Sequence, residues 1–245
     1  MTTRTDETSP RVYTRICGAL YLYIIVAALF AEAYVRGKLI DFGDAGATAS
    51  NILAHETLFR LGFTADVLNV AADVGVTVLL YALLKPVGRN VALLGALVRL
   101  LADAVLCVAL VMEWVGLRVF VDGGFLKGFD AEQVHALGLL LFRMHAYGYS
   151  VAMLFFGLGL VASGYLIVRS SFFPKALGGL LVFAGGGYLL DCFSRFLAPP
   201  FAHVLFPWAL LPGFLAELAL CGWLLVRGVD APKWEELRRA RRERA

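Results

Sequence analysis

The sequence predicts an all-α membrane protein, a bundle of six transmembrane helices joined by short loops, with both termini in the cytoplasm. Three observations carry that expectation. The 245 residues are 60% hydrophobic and only 17% charged, with mean hydropathy +0.76, whereas a soluble domain is nearer ~45–50% apolar and ~25% charged. The apolar residues fall in six blocks, roughly 16–35, 57–84, 91–117, 134–168, 176–197 and 204–226, each long enough for a bilayer crossing of ~20 residues. Basic residues are lopsided. Of 22 Lys and Arg, 14 lie on one side: Arg4, Arg11 and Arg15, then Lys85 and Arg89, Arg169 and Lys175, and seven in the C-terminal segment. The positive-inside rule places that side in the cytoplasm.

Residues 1–15 read as a cytoplasmic arm, 16–228 as the transmembrane domain and 229–245 as a basic cytoplasmic tail. In the first block, arginines precede Ile16–Phe30 and then Ala31-Glu32-Ala33, which imitates a cleavable signal peptide. Acidic Glu32 fits a small-residue cleavage site poorly, so an uncleaved helix is expected. The following DFGDAGATASNILAHETLF is too polar to cross. Asp44 can cap a short outside helix there. Pro86 ends the second span. Asp130 with Gln133 forms a capping box for the fourth, after the short Gly-rich loop VDGGFLKGFD. The fourth block is longer than a crossing needs, so it tilts or protrudes.

Pro174 is placed to open the fifth helix and Pro207 the sixth. Gly157, Gly159 and Gly164, with Gly178, Gly179, Gly185, Gly186 and Gly187, allow close helix approach; a hinge is the alternative. Pro212-Gly213 predicts a kink in the sixth helix, either for packing or beside a binding site. The tail WEELRRARRERA reads as a topology signal and a solvated or headgroup-facing helix, not a nucleic-acid site; its acidic residues dilute its charge. Cys17, Cys107, Cys192 and Cys221 lie in apolar runs without pair spacing. They read as buried small apolar residues, neither disulfides nor metal ligands.

The polar residues inside the blocks are the candidate site. Asp66, Asn69 and Asp73 share one stripe, because on a helix Asn69 lies about 60° and Asp73 about 20° from Asp66. A carboxylate at the bilayer centre costs roughly 2.5–3.5 kcal/mol on insertion scales, so such groups face the protein interior and are functional candidates. Arg99 and Asp103 form an i,i+4 pair, and Glu113 lies on about the face of Arg99. Arg143 and His145 are two apart and cannot share a face. Asp191 pairs with Arg195 by the same i,i+4 spacing, and Glu217 follows the Pro-Gly pair by one turn. The spans hold seven acids (Glu32, Asp66, Asp73, Asp103, Glu113, Asp191, Glu217) and at most four arginines (Arg60, Arg99, Arg143, Arg195). Three acids therefore lack a basic partner, and a buried carboxylate without one takes a proton or holds a cation. No HExxH or paired-His spacing exists, so no metal and no cofactor are expected. His55, His135 and His203 lie in or beside outer loops and read as solvated. Ser150, Ser163 and Ser194 lack a nucleophile-elbow context.

Several blocks together also look familiar. They are FAEAYVRGKLI with DAGATASNILAHETLFRLGFTAD, LLYALLKPVGRNVALLGALVRL, HAYGYSVAMLFFGLGLVASGYLIVRSSFFPKALGGLL, AGGGYLLD and LLPGFLAELALCGWLLVRG. Over about residues 11–229 the chain resembles a widespread bacterial family of six-helix integral membrane proteins catalogued only as a domain of unknown function. The resemblance implies a multi-pass inner-membrane protein and carries no catalytic role.

Three functions fit these residues. The leading one is a non-enzymatic protein, with membrane lipids around it, that binds or moves a small polar, amphipathic or cationic ligand. An intramembrane enzyme acting on a lipid or isoprenoid is the second; Asp66, Asp73 or Glu217 would be its acid, His145 a proton shuttle and Arg143 an anion holder. The third is a structural or accessory protein whose acids only pair helices.

Overall fold

The computed structural model describes residues 9–122 and 126–243, and their side chains except those of 203–207, 209, 210 and 242. Every regular element among them is helical. Helix α1 (Pro10–Ala28) continues as a π-helical segment (Leu29–Arg36) and a last turn, α2 (Gly37–Leu39). Then come α3 (Ala45–Ala54), α4 (Glu56–Leu84), α5 (Arg89–Val121), α6 (Ala131–Arg169), α7 (Lys175–Leu197), α8 (Pro199–Val226) and α9 (Ala231–Arg242).

Among the described residues, five helices are long and apolar enough to cross a membrane: Pro10–Leu39, Glu56–Leu84, Arg89–Val121, Ala131–Arg169 and Lys175–Leu197. In α8, Leu211–Val226 is a shorter apolar stretch. Their outward faces are apolar as well. Leu94, Val108, Val111 and Phe183 are 57%, 59%, 55% and 67% exposed, as expected of surfaces solvated by lipid. Cys107 is exposed beside Val108, while Cys17, Cys192 and Cys221 are buried. The expectation of four buried cysteines fails at Cys107 because an apolar thiol suits such a face.

The local signals are realised in order. Asp44 caps α3 by accepting from Ala47 N–H at 2.8 Å. Asp130 and Gln133 exchange both capping-box bonds, at 2.9 and 3.1 Å. Pro174 is the N-cap of α7. The sixth helix opens at Pro199-Pro200, not at Pro207; proline is tolerated in a first helical turn whose N–H groups have no partner anyway. Arg4, Gly123, Gly124 and the side chain of His203 lie outside the described residues.

The chain divides into two compact units. One comprises the described residues of Met1–Leu22, Asp73–Leu101 and Met153–Ala245. Here α6 and α7 touch through glycines. A Cβ on Gly178 would meet Gly164 O at 2.6 Å, and one on Gly185 would meet Gly157 O at 2.6 Å. The chain leaves α8 through Gly228, whose φ of +67° only glycine adopts without strain, and Gly228 N–H bonds back to Trp223 O. The other unit comprises Tyr23–Ala72 and Ala102–Ala152. Its core is Val35, Leu39, Ile52, Phe59, Leu117 and Phe142, with the Phe59 and Phe142 rings edge to face at 5.5 Å.

Candidate functional site

The unit of Tyr23–Ala72 and Ala102–Ala152 holds an acid cluster built on Arg36. Its guanidinium is 9% exposed and donates from Nε to Glu32 at 2.6 Å. Nη1 donates to Asp66 at 2.5 Å and to both oxygens of Glu113, at 3.1 and 3.2 Å. Exposure grades across the cluster: the Glu32 side chain is 53% exposed, Asp66 10% and Glu113 1%. The π-helical turn places the first two groups, since Gly37 N–H reaches back five residues to Glu32 O. Widened turns of this kind recur at functional sites.

His145 completes this cluster on α6. Its Nδ1 lies 3.1 Å from Ala109 O and 3.5 Å from Glu113. A carbonyl only accepts, so Nδ1 carries the proton. Nε2 is buried without a hydrogen-bond partner among the described residues. Tyr149, one turn along α6, lies 6.4 Å away ring to ring.

The other unit holds a second cluster, built on Arg99. Nε and Nη2 of Arg99 grip Asp73 bidentately, and Nη1 donates to Tyr21 at 3.2 Å. The guanidinium is 2% exposed and lies over the rings of Tyr21 and Phe156, at 5.3 and 4.6 Å. Glu217 accepts from Tyr188 OH at 3.0 Å and feels the charges of Arg99 and Asp73. Gly213 makes this possible: a Cβ there would strike the Tyr188 hydroxyl at 2.8 Å. In the same unit Asp191 and Arg195 form the expected i,i+4 pair at 2.8 Å.

Several candidates move. The Asp66–Asn69–Asp73 stripe does not act as one group: Asp66 joins the Arg36 cluster, Asp73 the Arg99 cluster, and Asn69 is half-buried in neither. The bidentate partner of Arg99 is Asp73 of α4, not Asp103 one turn along its own helix; a neighbouring helix can present both carboxylate oxygens squarely to the fork. Asp103 itself is buried. Arg143 is exposed, donates to Phe42 O and lies over the Phe42 ring at 5.8 Å. It is no part of either buried cluster, because His145 takes the inward face and the two cannot share it. His135 is half-buried against Phe120, not fully solvated. Arg36, Tyr21 and Tyr188 were not foreseen; for Arg36 the readable signal was the i,i+4 spacing from Glu32.

A family model for a domain of unknown function (DUF4386) matches residues 16–228. A relative from Archaeoglobus fulgidus, itself an uncharacterized protein, is 28% identical over 161 residues, which is 66% of this chain and 80% of the relative. No solved structure matches. The chain belongs to the DUF4386 family.

Proposed function

We propose that this member of the family is a six-span protein of the bacterial inner membrane, with both termini cytoplasmic, that binds a small cationic or amphipathic ligand at the Arg36 cluster and exchanges it for protons. One observation carries the reading. Three carboxylates, Glu32, Asp66 and Glu113, meet a single buried guanidinium. The three carboxylates outnumber the guanidinium by two, and a charge on His145 would still leave one of them unbalanced. In a poorly solvated interior that excess is met by protons or by a bound cation. Glu32, half exposed, gives the cluster a solvent-facing end, and the unpartnered Nε2 of His145 lies at its enclosed end. The 28-residue length of α8 supports its role as the sixth span, at about 42 Å for a rise of ~1.5 Å per residue.

The test is proton release. Lightly buffered protein in lipid nanodiscs is titrated with small organic ammonium ions while a pH-sensitive dye reads the bulk. Release should saturate with the wild type and vanish with Glu113→Gln, while thermal unfolding shows that variant to be folded. If no ammonium ion releases protons or shifts the unfolding temperature, the reading fails. A second reading, helix pairing alone, is favoured only at Arg99, where the bidentate grip of Asp73 is closed by two aromatic rings.

A further inference from the structure

Helix α9 plays no part in either cluster, yet it is firmly seated. Asp230 caps it by accepting from Lys233 N–H at 3.4 Å. Trp234 is 5% exposed and donates from Nε1 to Leu83 O at 2.9 Å. That carbonyl belongs to the last turn of α4, where carbonyls have no partner within their own helix. Arg241 donates to Val87 O at 2.9 Å, and Arg238 lies over the Trp234 ring at 5.2 Å. The helix is thus fastened across the turn between α4 and α5, where Lys85 and Arg89 are exposed.

Charge is sorted around α9. At 100° per residue, Arg238 and Arg241 lie within about 40° of Trp234. Glu235, Glu236 and Glu243 lie about 100° or more away, together with Arg239. The basic groups therefore sit beside the docked tryptophan, and the acids on the far side. Position argues for the partner. Only four residues separate Val226, at the end of apolar α8, from Ala231. Four residues reach at most ~14 Å, and a headgroup layer adds only about 5–8 Å to each side of the hydrocarbon. With Trp234 also tied to the last turn of α4, α9 is held against the ends of two apolar helices, where the phosphates of a surrounding membrane would lie.

We propose that α9 and the α4–α5 turn form a binding site for the headgroup of an anionic phospholipid, with Arg238, Arg241, Lys85 and Arg89 on the phosphate. The site is independent of the Arg36 cluster.

The test uses the full chain in neutral detergent and a fluorescent phosphatidylglycerol. Replacing Arg238 and Arg241 together by Gln should weaken binding roughly 30-fold, taking about 1 kcal/mol per basic residue and 1.4 kcal/mol per decade. Arg239→Gln removes one like charge from the far side and should change binding less than two-fold. Unlabelled phosphatidylglycerol should compete. Phosphatidylcholine, inorganic phosphate and a short RNA should not at matched phosphate concentration. Equal losses for Arg239→Gln and Arg241→Gln would show that only net charge matters and would overturn the site. Displacement by inorganic phosphate or by RNA would overturn the lipid assignment. Because Arg238 and Arg241 also fasten α9, Trp234→Phe, which loses the bond to Leu83 O and keeps every charge, is measured beside them; a binding loss as large as that of the double variant would overturn the site.

Discussion

Removing Asp73 strands the most enclosed arginine among the described residues. Arg99 is 2% exposed, and Asp73 supplies two charge-assisted hydrogen bonds to it. Each such bond contributes about 1.5–3 kcal/mol, and breaking a buried pair from one side costs about 3–5 kcal/mol. Polar contacts in membrane proteins often measure less, averaging ~0.6 kcal/mol, because the unfolded chain in lipid finds other partners. Here the guanidinium is also walled by Tyr21 and Phe156, so water cannot easily replace the carboxylate. Asp73→Leu should therefore cost about 3 kcal/mol, at the low end of the buried-pair range. For a chain of this size that is roughly 6–12 °C in unfolding temperature. Adding Arg99→Met should recover most of the loss, since an apolar pair of similar volume often replaces a buried ion pair without penalty. The assay is thermal unfolding in detergent, followed by tryptophan fluorescence. A loss below 1 kcal/mol for the single variant, or a double variant no more stable than the single, would refute the reasoning.

Neighbouring glycines should respond with opposite sign. Gly178→Ala drives a Cβ into Gly164 O at 2.6 Å and should destabilise α6–α7 packing, whereas Gly179 has nothing within 4 Å, so Gly179→Ala should stabilise by about 0.5–1 kcal/mol through helix propensity. Thermal unfolding of both variants reads the contrast. Gly228→Ala must hold an alanine at φ +67° with its Cβ 2.7 Å from Thr14 Oγ1; a loss of about 1–2 kcal/mol is expected from the backbone alone, with faster hydrogen exchange in α9. Asp230 is held below its ordinary value of 3.8, first by the side-chain hydrogen bond to Lys233 and then by the backbone one. A depressed carboxyl stabilises above its unfolded value and loses that contribution as pH falls through the folded one. The cap on α9 should therefore survive to below about pH 3.8 and then fail, with hydrogen exchange in α9 rising there and Asp230→Ala showing the fast rate at every pH.

Much of the fold was legible because each helix carries its own punctuation. Asp44, the Asp130–Gln133 box and Pro174 act within one turn of sequence, so their chemistry does not depend on a distant partner. The two clusters depend on distant partners. Asp73 and Arg99 were both visible, but the i,i+4 rule is local and pointed Arg99 at Asp103; which residue faces it across a helix pair is a matter of register, absent from a single sequence. Arg36 escapes the candidate set because the first apolar block, 16–35, stops one residue short of it. Arg143 looked buried because it lies inside an apolar block. The 200° between it and His145 said that one of them must face outward, without saying which. The count of acids against arginines was itself short by one, because it left out Arg36. With Arg36 included, five acids still meet two guanidinium groups across the two clusters.

The π-helical stretch from Leu29 to Arg36 makes the aim of Arg36 a question of chain length. A helix rotates by about 100° for every residue gained or lost, and a widened turn absorbs surplus length without unwinding. Deleting one residue there, Ala33 for example, would tighten the coil to ordinary α geometry and swing everything behind it round the axis. Arg36 would then point away from Asp66 and Glu113, with all of its atoms still present. In this protein a single-codon deletion at that point works as a rotary switch, able to disarm the acid cluster while leaving every residue that composes it in place.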